Sequence, residues 1–301
     1  MKPKVTIGIC VKNCEKSVGE TIKSVSDQDF PDEHMEIIFV DDGSQDNTLT
    51  IIEKCASSIS IPSRVFHTAW KGIGHARNVV IDYAFGDYIV WVDGDMILAR
   101  DFIRKLANFM EEHPEIAAAK GKQALESGSN LLGTLETYGR AATRMVDYES
   151  EKSFTKSLGT GGCIYRVEVL RKVGKFDENF RGYGEDFDLE LRIKRAGYSF
   201  STVNSEFKDY ERYGLSWKNL WSRYMLRGFY SHYFLHKNVG LIKHYKTLPP
   251  VAFLSGFVYA HRLFKVTRQN VVFLLPFPYG FKMVAWYFGF LKSHLSSYQP
   301  K

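Results

Sequence analysis

The chain has 301 residues, 45% of them hydrophobic, and a formal net charge of +6, so it can bury a full α/β core and still supply a second element of about a hundred residues. Its 4 cysteines lack the paired spacing of a zinc site, and the residues before the first apolar run contain no signal-peptide core. These features exclude a cysteine-based zinc module, favour reduced thiols and predict a chain that begins in the cytoplasm.

Strands alternate with helices over the first two thirds of the sequence, whereas the stretch from Ala117 to Thr155 shows no pattern that selects either. Because β-α-β-α order is typical of parallel sheets, we predict an α/β fold with a doubly wound, mostly parallel sheet and a helical C-terminal extension. The predicted strands are Val5–Val11, Met35–Val40, Val65–His67, Tyr88–Val92 and Cys163–Tyr165, and the predicted helices are Glu15–Val25, one that ends at Cys55, Gly74–Phe85, Phe102–Glu112, Val167–Val173 and one that begins near Glu185.

Two pairs of acidic residues follow predicted strands. Asp41 and Asp42 come after the second strand, and Asp93 and Asp95 flank Gly94 after the fourth. Carboxylates at the C-terminal ends of parallel strands face the ligand crevice, where Asp41 or Asp42 can accept hydrogen bonds from a nucleobase or ribose. Asp93 and Asp95 repel each other, and a divalent cation relieves that repulsion while keeping coordination positions for a diphosphate. The combination indicates sugar-nucleotide chemistry.

Basic residues that could bind phosphate occur in two places. Lys71 and Arg77 lie near the start of a predicted helix, from which they can approach the phosphates of the same ligand. A solvated surface charge explains Lys71 equally well. Arg223 and Arg227 are four residues apart on another predicted helix, and they can contact either a phosphate or lipid.

Four acids crowd the stretch that follows Gly182-Tyr183-Gly184, namely Glu185, Asp186, Asp188 and Glu190. They cannot share one face of a helix, so one of them can point into the crevice. A carboxylate at a helix N-terminus stays ionised and can act as the general base for an acceptor hydroxyl. The helix macrodipole accounts for Asp188 and Glu190 without any catalytic role.

The excess positive charge belongs to the C-terminal tail, which has no Asp or Glu from Arg212 to Lys301. Its aromatic residues fall inside apolar stretches rather than between basic clusters, which argues against nucleic acid as a partner. Basic residues or prolines interrupt both apolar stretches, Pro249–Tyr259 and Val271–Phe290, so neither resembles a clean transmembrane helix. We expect amphipathic helices on the cytoplasmic surface of the cell membrane; ordinary core helices are the alternative.

Several short motifs, taken in order, resemble the family 2 glycosyltransferases with the GT-A fold. The resemblance covers about residues 4–200 and keeps the order and spacing of that family. The motifs are Asn13 after the first strand, Val40–Ser44, Gly74–Asn78, Gly86–Tyr88, Val92–Asp95, and Gly184–Asp186 with Leu191, Arg192 and Gly197.

The resemblance implies an inverting transfer of a sugar from a UDP- or GDP-sugar, with Mg²⁺ or Mn²⁺ held at the Asp-x-Asp motif. By the family pattern Asp42 holds the nucleoside, Asp93 and Asp95 contact ribose, metal and diphosphate, and Asp186 of the Glu185-Asp186 pair is the base. The expected donor-binding residues are Cys10, Lys12, Asn13, Asp41, Asp42, Lys71, Arg77, Asp93, Gly94 and Asp95, the expected metal residues are Asp93, Asp95 and Asp209, and the expected acceptor or phosphate side comprises Gly161, Gly162, Arg223 and Arg227.

The sequence departs from the family pattern in three places. Cys10 and Cys14 stand where the family usually has Pro and Glu, with Glu15 one residue late, and Asp209 lies near the position where many members have His. The basic, aromatic tail resembles the membrane-associated C-termini of members that act on polyprenyl-phosphate or lipid-linked acceptors. We therefore expect a catalytic domain over residues 1–205, a helical extension over residues 206–301, and an acceptor that is a lipid phosphate, a lipid-linked glycan or a polysaccharide.

Two other functions remain open from the sequence. A sugar-1-phosphate nucleotidyltransferase would share the sheet, the metal and the acids, but it should have a glycine-rich basic loop after the first strand, where only Gly8 occurs. A non-catalytic nucleotide-sugar-binding relative at the membrane should have lost one of Asp42, Asp93, Asp95 or Asp186, and all are present.

Overall fold

A computed structural model of the protein describes residues 2–145, 158–209, 215–239 and 248–296. The chain forms two compact units, which we call the sheet unit and the helical unit. The predicted boundary at residues 205/206 stays a prediction, although a strand runs through it. The sheet unit comprises Met1–Ala124, Ser157–Arg181 and Glu185–Tyr210, and the helical unit comprises Leu125–Lys156, Gly182–Gly184 and Glu211–Lys301.

The sheet unit contains one eight-stranded sheet in the order β3-β2-β1-β4-β7-β6-β8-β5. The first four of these strands are parallel, and so is the β6–β8 pair, whereas β7 and β5 run antiparallel to their neighbours. The predicted α/β class with a mostly parallel sheet is confirmed. The strands are β1 (Val5–Val11), β2 (Met35–Asp42), β3 (Ser63–Thr68), β4 (Tyr88–Trp91), β5 (Met96–Leu98), β6 (Ile116–Gln123), β7 (Cys163–Arg166) and β8 (Ser199–Asp209).

Helices cover both faces of this sheet, because the central strands are apolar on both sides and must be buried on both. Ile7 and Ile37 belong to one buried cluster, whereas Ile38 and Ile89 belong to another. The helices of this unit are α1 (Val18–Ser26), α2 (Thr48–Ala56), α3 (Ile73–Tyr83), α4 (Phe102–Glu112), α6 (Val167–Lys172) and α7 (Glu185–Arg195), and a short 3-10 helix spans Asp32–His34.

The strand register brings two loops and the end of β8 to one edge of the sheet. Trp91 of β4 pairs with Cys163 of β7, so the glycine loop 159–162 that enters β7 lies beside the turn that leaves β4. Met96 of β5 pairs with Asp209 of β8, which places the end of β8 next to the same turn. This edge also receives the C-terminal ends of β1 and β2, because both run parallel to β4.

The helical unit contains α5 (Leu131–Met145), α8 (Trp217–Lys237), α9 (Pro249–Thr267), a 3-10 helix (Asn270–Leu274) and α10 (Pro276–Leu295). Two glycines let α8 and α10 pack backbone to backbone: a Cβ at Gly228 would overlap the Trp286 carbonyl, and one at Gly289 would overlap the Met225 carbonyl. Lys282 of α10 is buried and donates to Glu136 of α5 at 2.6 Å.

The segment Asn270–Leu295 is long and apolar enough to cross a membrane, by length and composition alone. Its prolines and Lys282 argue against such a segment from the sequence alone. Pro276 opens α10 rather than interrupting it, since a proline in the first turn removes no intrahelical hydrogen bond. The charge of Lys282 is compensated by Glu136, so neither feature prevents a long apolar helix.

Candidate active site

Asp42 anchors the loop that leads into α3. It is buried at the end of β2, and its two carboxylate oxygens accept hydrogen bonds from the backbone amides of Lys71 (2.8 Å) and Gly72 (2.9 Å). Gly72 has φ of 103°, a conformation that side chains rarely adopt, and a Cβ there would lie 2.7 Å from the Arg181 carbonyl oxygen. The exposed Lys71 side chain therefore projects from a loop that the Asp42 carboxylate holds in place.

Asp93 and Asp95 flank Gly94 in the turn between β4 and β5, and both are half-buried. The Gly94 carbonyl accepts a hydrogen bond from the Ser17 hydroxyl at 2.7 Å, which ties this turn to the start of α1. The Asp93 carboxylate lies against Gly161, where a Cβ would overlap its Oδ2 atom. Glycine at 161 is thus what allows the glycine loop to approach the first acid of the Asp-x-Asp motif.

A cluster of charged side chains lies at this edge of the sheet and contains Arg77, Glu185 and Asp186. Arg77 Nη1 donates to Glu185 Oε1 at 2.6 Å, with side chains 9% and 8% exposed. Asp186 is half-buried and its Oδ1 accepts from the Phe187 amide at 2.7 Å, whereas its Oδ2 lies 3.6 Å from where a Cβ on Gly159 would stand. The two adjacent acids therefore differ: Glu185 is bound to Arg77, and Asp186 faces the glycine loop.

The pKa values at this centre record an excess of negative charge. Burial alone lowers the pKa of Arg77, but Glu185, Asp93 and Asp186 outweigh burial, and the pKa rises above its usual value. Burial and the charge of Asp186 raise the pKa of Glu185 to about 7, although Arg77 opposes the shift. One guanidinium thus faces three carboxylates, which is an arrangement that favours a bound cation.

Lys120 organises the glycine loop and was missed by the sequence analysis. It is fully buried in β6, and its ammonium donates to the backbone carbonyls of Leu158, Gly159 (3.3 Å) and Gly161 (2.7 Å). The Lys120 ammonium also lies 6.0 Å from the centre of the Phe207 ring. A lysine after three alanines in an uninterpreted stretch gave no local signal of this role, because the loop that it binds is about forty residues away in sequence.

Glu190 also holds this loop, through its backbone amides, which corrects the interpretation that the helix macrodipole explains it. Its carboxylate is buried and accepts from the amides of Leu158 and Gly159, each at 2.9 Å. Asp188 instead pairs with Arg192 one turn later, at 2.9 Å. The acids of α7 thus hold the glycine loop, Arg77 and the helix itself.

Four further predicted donor residues lie around the ends of β1 and β2. Asp41 is fully buried and accepts from Ser44 and from His67 Nδ1 (2.7 Å), so its oxygens are used within the sheet unit. Asn13 bonds to Ser44 and to the Gln45 amide, thereby joining two loops. Lys12 is exposed, and its ammonium lies 4.8 Å from the centre of the Trp70 ring. Cys10 is the fourth of these residues, and burial raises the pKa of its thiol to about 12.

Asp209 ends β8 and accepts a hydrogen bond from Gln123 Nε2 at 2.9 Å. Its backbone pairs with Met96, the residue that follows Asp95. Asp93, Asp95 and Asp209 would supply hard carboxylate oxygens, the donors that Mg²⁺ and Mn²⁺ prefer. These donor types suit a divalent cation, and the carboxylates around Arg77 add negative charge to the same region.

The predicted acceptor-side residues divide between the two units. Gly161 and Gly162 lie in the glycine loop, and Gly162 has φ of 72°, with Phe207 filling the space that a Cβ would need. Arg223 and Arg227 lie on α8 of the helical unit, and the Arg227 guanidinium is 5.5 Å from the Tyr183 ring. The same guanidinium lies 5.0 Å from the ring of Tyr224 on the same helix.

Comparison with known proteins gives the family. The family model described as Glycosyl transferase family 2 matches residues 6–174, which is more than half of the chain. The chain belongs to this family. The predicted family is therefore confirmed. The matched region contains all but the first residue of β1, both acidic motifs and the glycine loop, whereas α7 and the helical extension lie beyond it.

Two bacterial proteins are similar in sequence to this family 2 protein. TarS of Staphylococcus aureus (strain Mu50 / ATCC 700699), a poly(ribitol-phosphate) beta-N-acetylglucosaminyltransferase, is 33% identical over 110 residues, which are 36% of this chain but 19% of TarS. EpsE of Bacillus subtilis (strain 168), named as a glycosyltransferase, is 26% identical over 229 residues, 67% of this chain and 80% of EpsE.

Solved structures show the same fold. The mannosyltransferase PcManGT from Pyrobaculum calidifontis, in complex with GDP-Man and Mn²⁺, has a TM-score of 0.66 at 16% identity, over 99% of this chain and 89% of its own. Residues 1–349 of S. aureus TarS in complex with UDP-GlcNAc give a TM-score of 0.55 at 17% identity, over 99% of this chain and 93% of that chain. The predicted GT-A type fold is confirmed by these neighbours.

Proposed function

We propose that this family 2 protein is an inverting glycosyltransferase that moves a sugar from a UDP- or GDP-sugar to an acceptor hydroxyl or phosphate. The observation that carries the proposal is that two adjacent acids have different surroundings. Glu185 is buried and bound to Arg77 at 2.6 Å, whereas Asp186 is half-buried beside the glycine loop. A base must be able to reach its substrate, and Asp186 meets that condition better than Glu185.

The donor half of the site would be built on the first four strands. Asp42 would hold the nucleoside edge through the loop that it anchors, and Asp93 and Asp95 would face ribose and diphosphate. TarS and PcManGT have been solved with UDP-GlcNAc and with GDP-Man, respectively, so both nucleotides occur among proteins of this fold. The nucleobase of the proposed donor is therefore uracil or guanine.

Asp93, Asp95 and Asp209 would hold Mg²⁺ or Mn²⁺. When bound, such a cation would neutralise the charge that develops on the leaving diphosphate. The excess of carboxylates over Arg77 supports this assignment, because the guanidinium alone does not balance Glu185, Asp93 and Asp186.

In the reaction Asp186 would accept the proton of the acceptor hydroxyl as its oxygen bonds to the anomeric carbon. The bond between that carbon and the diphosphate oxygen breaks, and its electron pair leaves with the diphosphate. A single displacement inverts the anomeric configuration. Lys120 and Glu190 would keep the glycine loop in place, and Arg77 would keep Glu185 away from the acceptor.

A donor panel tests this function. Purified full-length protein should turn over one UDP- or GDP-sugar in the presence of Mg²⁺ or Mn²⁺, and EDTA should abolish turnover. Asp95→Ala should reduce turnover by about 100-fold or more, because mutations that weaken metal sites cost 10–100-fold even in outer shells. Asp82→Ala on the exposed side of α3 is the matched control and should keep full activity.

The outcomes of the panel separate the candidate functions. Release of the nucleoside diphosphate identifies a transferase, whereas release of pyrophosphate from a sugar phosphate and a nucleoside triphosphate would identify a nucleotidyltransferase. Donor binding without turnover, with or without polyprenyl phosphate, would identify a non-catalytic relative.

We also propose that the helical unit binds a membrane surface and that the acceptor is lipid-linked, with a polysaccharide as the alternative. Three exposed large apolar side chains belong to the described part of the sheet unit, Trp70, Tyr83 and Phe85. The helical unit exposes many more. They include Leu226, Leu254, Phe257, Val258, Val266, Phe273, Phe277, Phe288 and Leu295. Exposed apolar area, together with the basic stretch from Arg212 to Lys301 that contains no Asp or Glu, is typical of segments that lie on anionic lipid.

Vesicle sedimentation tests this second proposal. The protein should sediment with vesicles rich in anionic lipid and less with neutral ones. The double variant Phe257→Gln/Phe277→Gln should weaken sedimentation about tenfold, because both rings are more than 45% exposed on α9 and α10. Phe85→Gln, which removes an equally exposed ring from the sheet unit, should have no effect. Equal loss in both variants, or preference for duplex DNA over lipid, would contradict membrane binding.

A further inference from the structure

Three histidines converge at the C-terminal ends of α8 and α10. His232 and His236 are one turn apart on α8, and His294 lies in the last turn of α10. Nε2 of His232 is 3.0 Å from Nε2 of His236 and 3.2 Å from Nδ1 of His294. All three ring nitrogens lie within 4.8 Å of one another.

Hydrogen bonding alone does not account for this cluster. The Nε2 atom of an imidazole carries either one hydrogen or one lone pair, so it can make one good hydrogen bond. In His232 that single atom faces two other ring nitrogens at hydrogen-bond distance.

The spacing suits a tetrahedral metal ion. Two imidazole nitrogens on one tetrahedral zinc lie about 3.3 Å apart, because each Zn–N bond is about 2.0–2.1 Å long. Two of the nitrogen pairs here, at 3.0 and 3.2 Å, are already near that separation. Three imidazole nitrogens grouped in this way are a frequent ligand set for zinc and its neighbours.

The packing of the two helices fixes the histidines in position. Gly228 and Gly289 allow close approach of the backbones, and Trp286 Nε1 donates to Ser231 Oγ at 3.1 Å. The ring of Phe290 lies 5.3 Å from that of His232. His232 is therefore held in a packed interface, whereas His236 and His294 are exposed and give an ion a route from solvent.

The sequence of the tail restricts which ligands are available. From Arg212 onward the chain contains neither Asp, Glu nor Cys, so histidine is its only strong metal-ligating residue type. Hard cations such as Mg²⁺ prefer oxygen donors and would gain little from such a cluster. Nitrogen donors instead select borderline ions such as Zn²⁺.

We propose that His232, His236 and His294 bind one divalent transition-metal ion of the zinc class and thereby join the ends of α8 and α10. The site differs in chemistry from the carboxylate site of the sheet unit, and it does not depend on the transferase proposal. Three protein ligands leave a fourth coordination position for water or another small ligand.

Cobalt binding tests the proposal directly, because tetrahedral Co²⁺ absorbs visible light far more strongly than octahedral Co²⁺. The full-length protein, without a histidine tag and in excess Mg²⁺ to occupy carboxylate sites, should bind one Co²⁺ per chain with a tetrahedral spectrum that Zn²⁺ abolishes. His236→Gln and His294→Gln should each weaken binding at least tenfold, whereas His261→Gln, an exposed histidine on α9, should not.

Thermal unfolding provides the second readout. Zn²⁺ at a hundredfold excess over Kd should raise the Tm by roughly 5 °C, and both variants should lose that rise while keeping the wild-type Tm in EDTA. His236 and His294 are exposed, so these variants should still fold. An octahedral spectrum, no saturable binding, or unchanged affinity in both variants would overturn the proposal.

Discussion

Each unit of the molecule contains an ion pair whose two side chains are at least nine-tenths buried, and the two pairs have the same length. Arg77 donates to Glu185 in the sheet unit, and Lys282 donates to Glu136 in the helical unit, both at 2.6 Å. Burying such a pair gains little stability over an apolar pair of the same size. The interest therefore lies in what each pair does, which depends on its surroundings.

Those surroundings differ in charge. Asp93 and Asp186 add their negative charges to the first pair, whereas the ammonium of the second lies 4.5 Å from the Tyr279 ring and 5.4 Å from the Tyr224 ring. The pair in the sheet unit is thus embedded in unbalanced negative charge that a cation can neutralise. The pair in the helical unit is surrounded by neutral rings, and its role is to hold two helices together.

Replacing the basic side chain of each pair should have the largest effects on local stability. Arg77→Met and Lys282→Met should each raise local hydrogen exchange by roughly 100- to 1000-fold, since an unpaired buried charge costs about 3–5 kcal/mol. Exchange should increase in α7 for the first variant and in α10 for the second. Arg77→Met should also lower sugar transfer at least tenfold, while Lys282→Met should keep donor affinity.

Double variants sharpen this comparison. Arg77→Met/Glu185→Leu and Lys282→Met/Glu136→Leu should both recover most of the lost protection, because apolar residues then replace the whole pair. Sugar transfer should not return in Arg77→Met/Glu185→Leu, because that variant lacks both charged side chains of the pair. If neither double variant recovered protection, the destabilisation would not come from an unpaired charge.

Lys120→Met should have the next largest effect. The substitution keeps the size of the side chain but leaves the carbonyls of Leu158, Gly159 and Gly161 without their shared donor, at about 1–3 kcal/mol for each group that stays unsatisfied. We expect transfer to fall about tenfold or more and unfolding to occur at lower denaturant concentration. Lys122→Met, an exposed lysine on the same strand, is the control and should change neither quantity.

Gly161→Ala should reduce metal-dependent transfer about tenfold with little loss of stability. The new methyl group would overlap Asp93 Oδ2, so the carboxylate or the loop must move. Gly19→Ala in α1 is the matched control, because the nearest side-chain atom to its Cβ would be 3.9 Å away. That control should be stabilised by about 0.5–1 kcal/mol, as expected for glycine replaced by alanine within a helix. Similar activity in the two variants would contradict the close approach of Gly161 to Asp93.

The last prediction is a pH dependence of stability. The pKa of Glu185 rises from 4.5 to about 7 on folding, chiefly through burial and then through Asp186. Between those values the folded state binds more protons than the unfolded state, so the free energy of unfolding should decrease as pH rises from 4.5 to 7. Urea titrations of Glu185→Gln should show a shallower decrease over that window. An unchanged slope would mean that Glu185 does not titrate there.

The sequence predicted the edge of the sheet well because the relevant signals are local. Buried strands followed by Asp42 or by Asp93 and Asp95 have a pattern that depends on few neighbours, and α7 begins at Glu185 as predicted. Helix α1 starts at Val18 rather than Glu15, and the Glu15 carboxylate accepts hydrogen bonds from Asn47 in the neighbouring loop.

What the sequence could not reveal depends on contacts between distant residues. β6 is rich in alanine and includes the buried Lys120, so its pattern resembles neither a strand nor a site. β8 alternates weakly, and its neighbours in the sheet, β6 and β5, lie far from it in sequence. The role of Glu190 is invisible in the sequence for the same reason: its partners Leu158 and Gly159 are about thirty residues away.

The most direct test of the proposed mechanism is the turnover of Asp186→Asn with the donor that the wild type uses. Asparagine keeps the size of the side chain but cannot accept the acceptor proton, so kcat should fall by about 10²–10⁴-fold. Donor affinity should stay within about twofold, and Asp82→Asn should match the wild type in both quantities. A kcat within tenfold of the wild type would contradict Asp186 as the base, and an equal loss of donor affinity would instead assign Asp186 to donor binding.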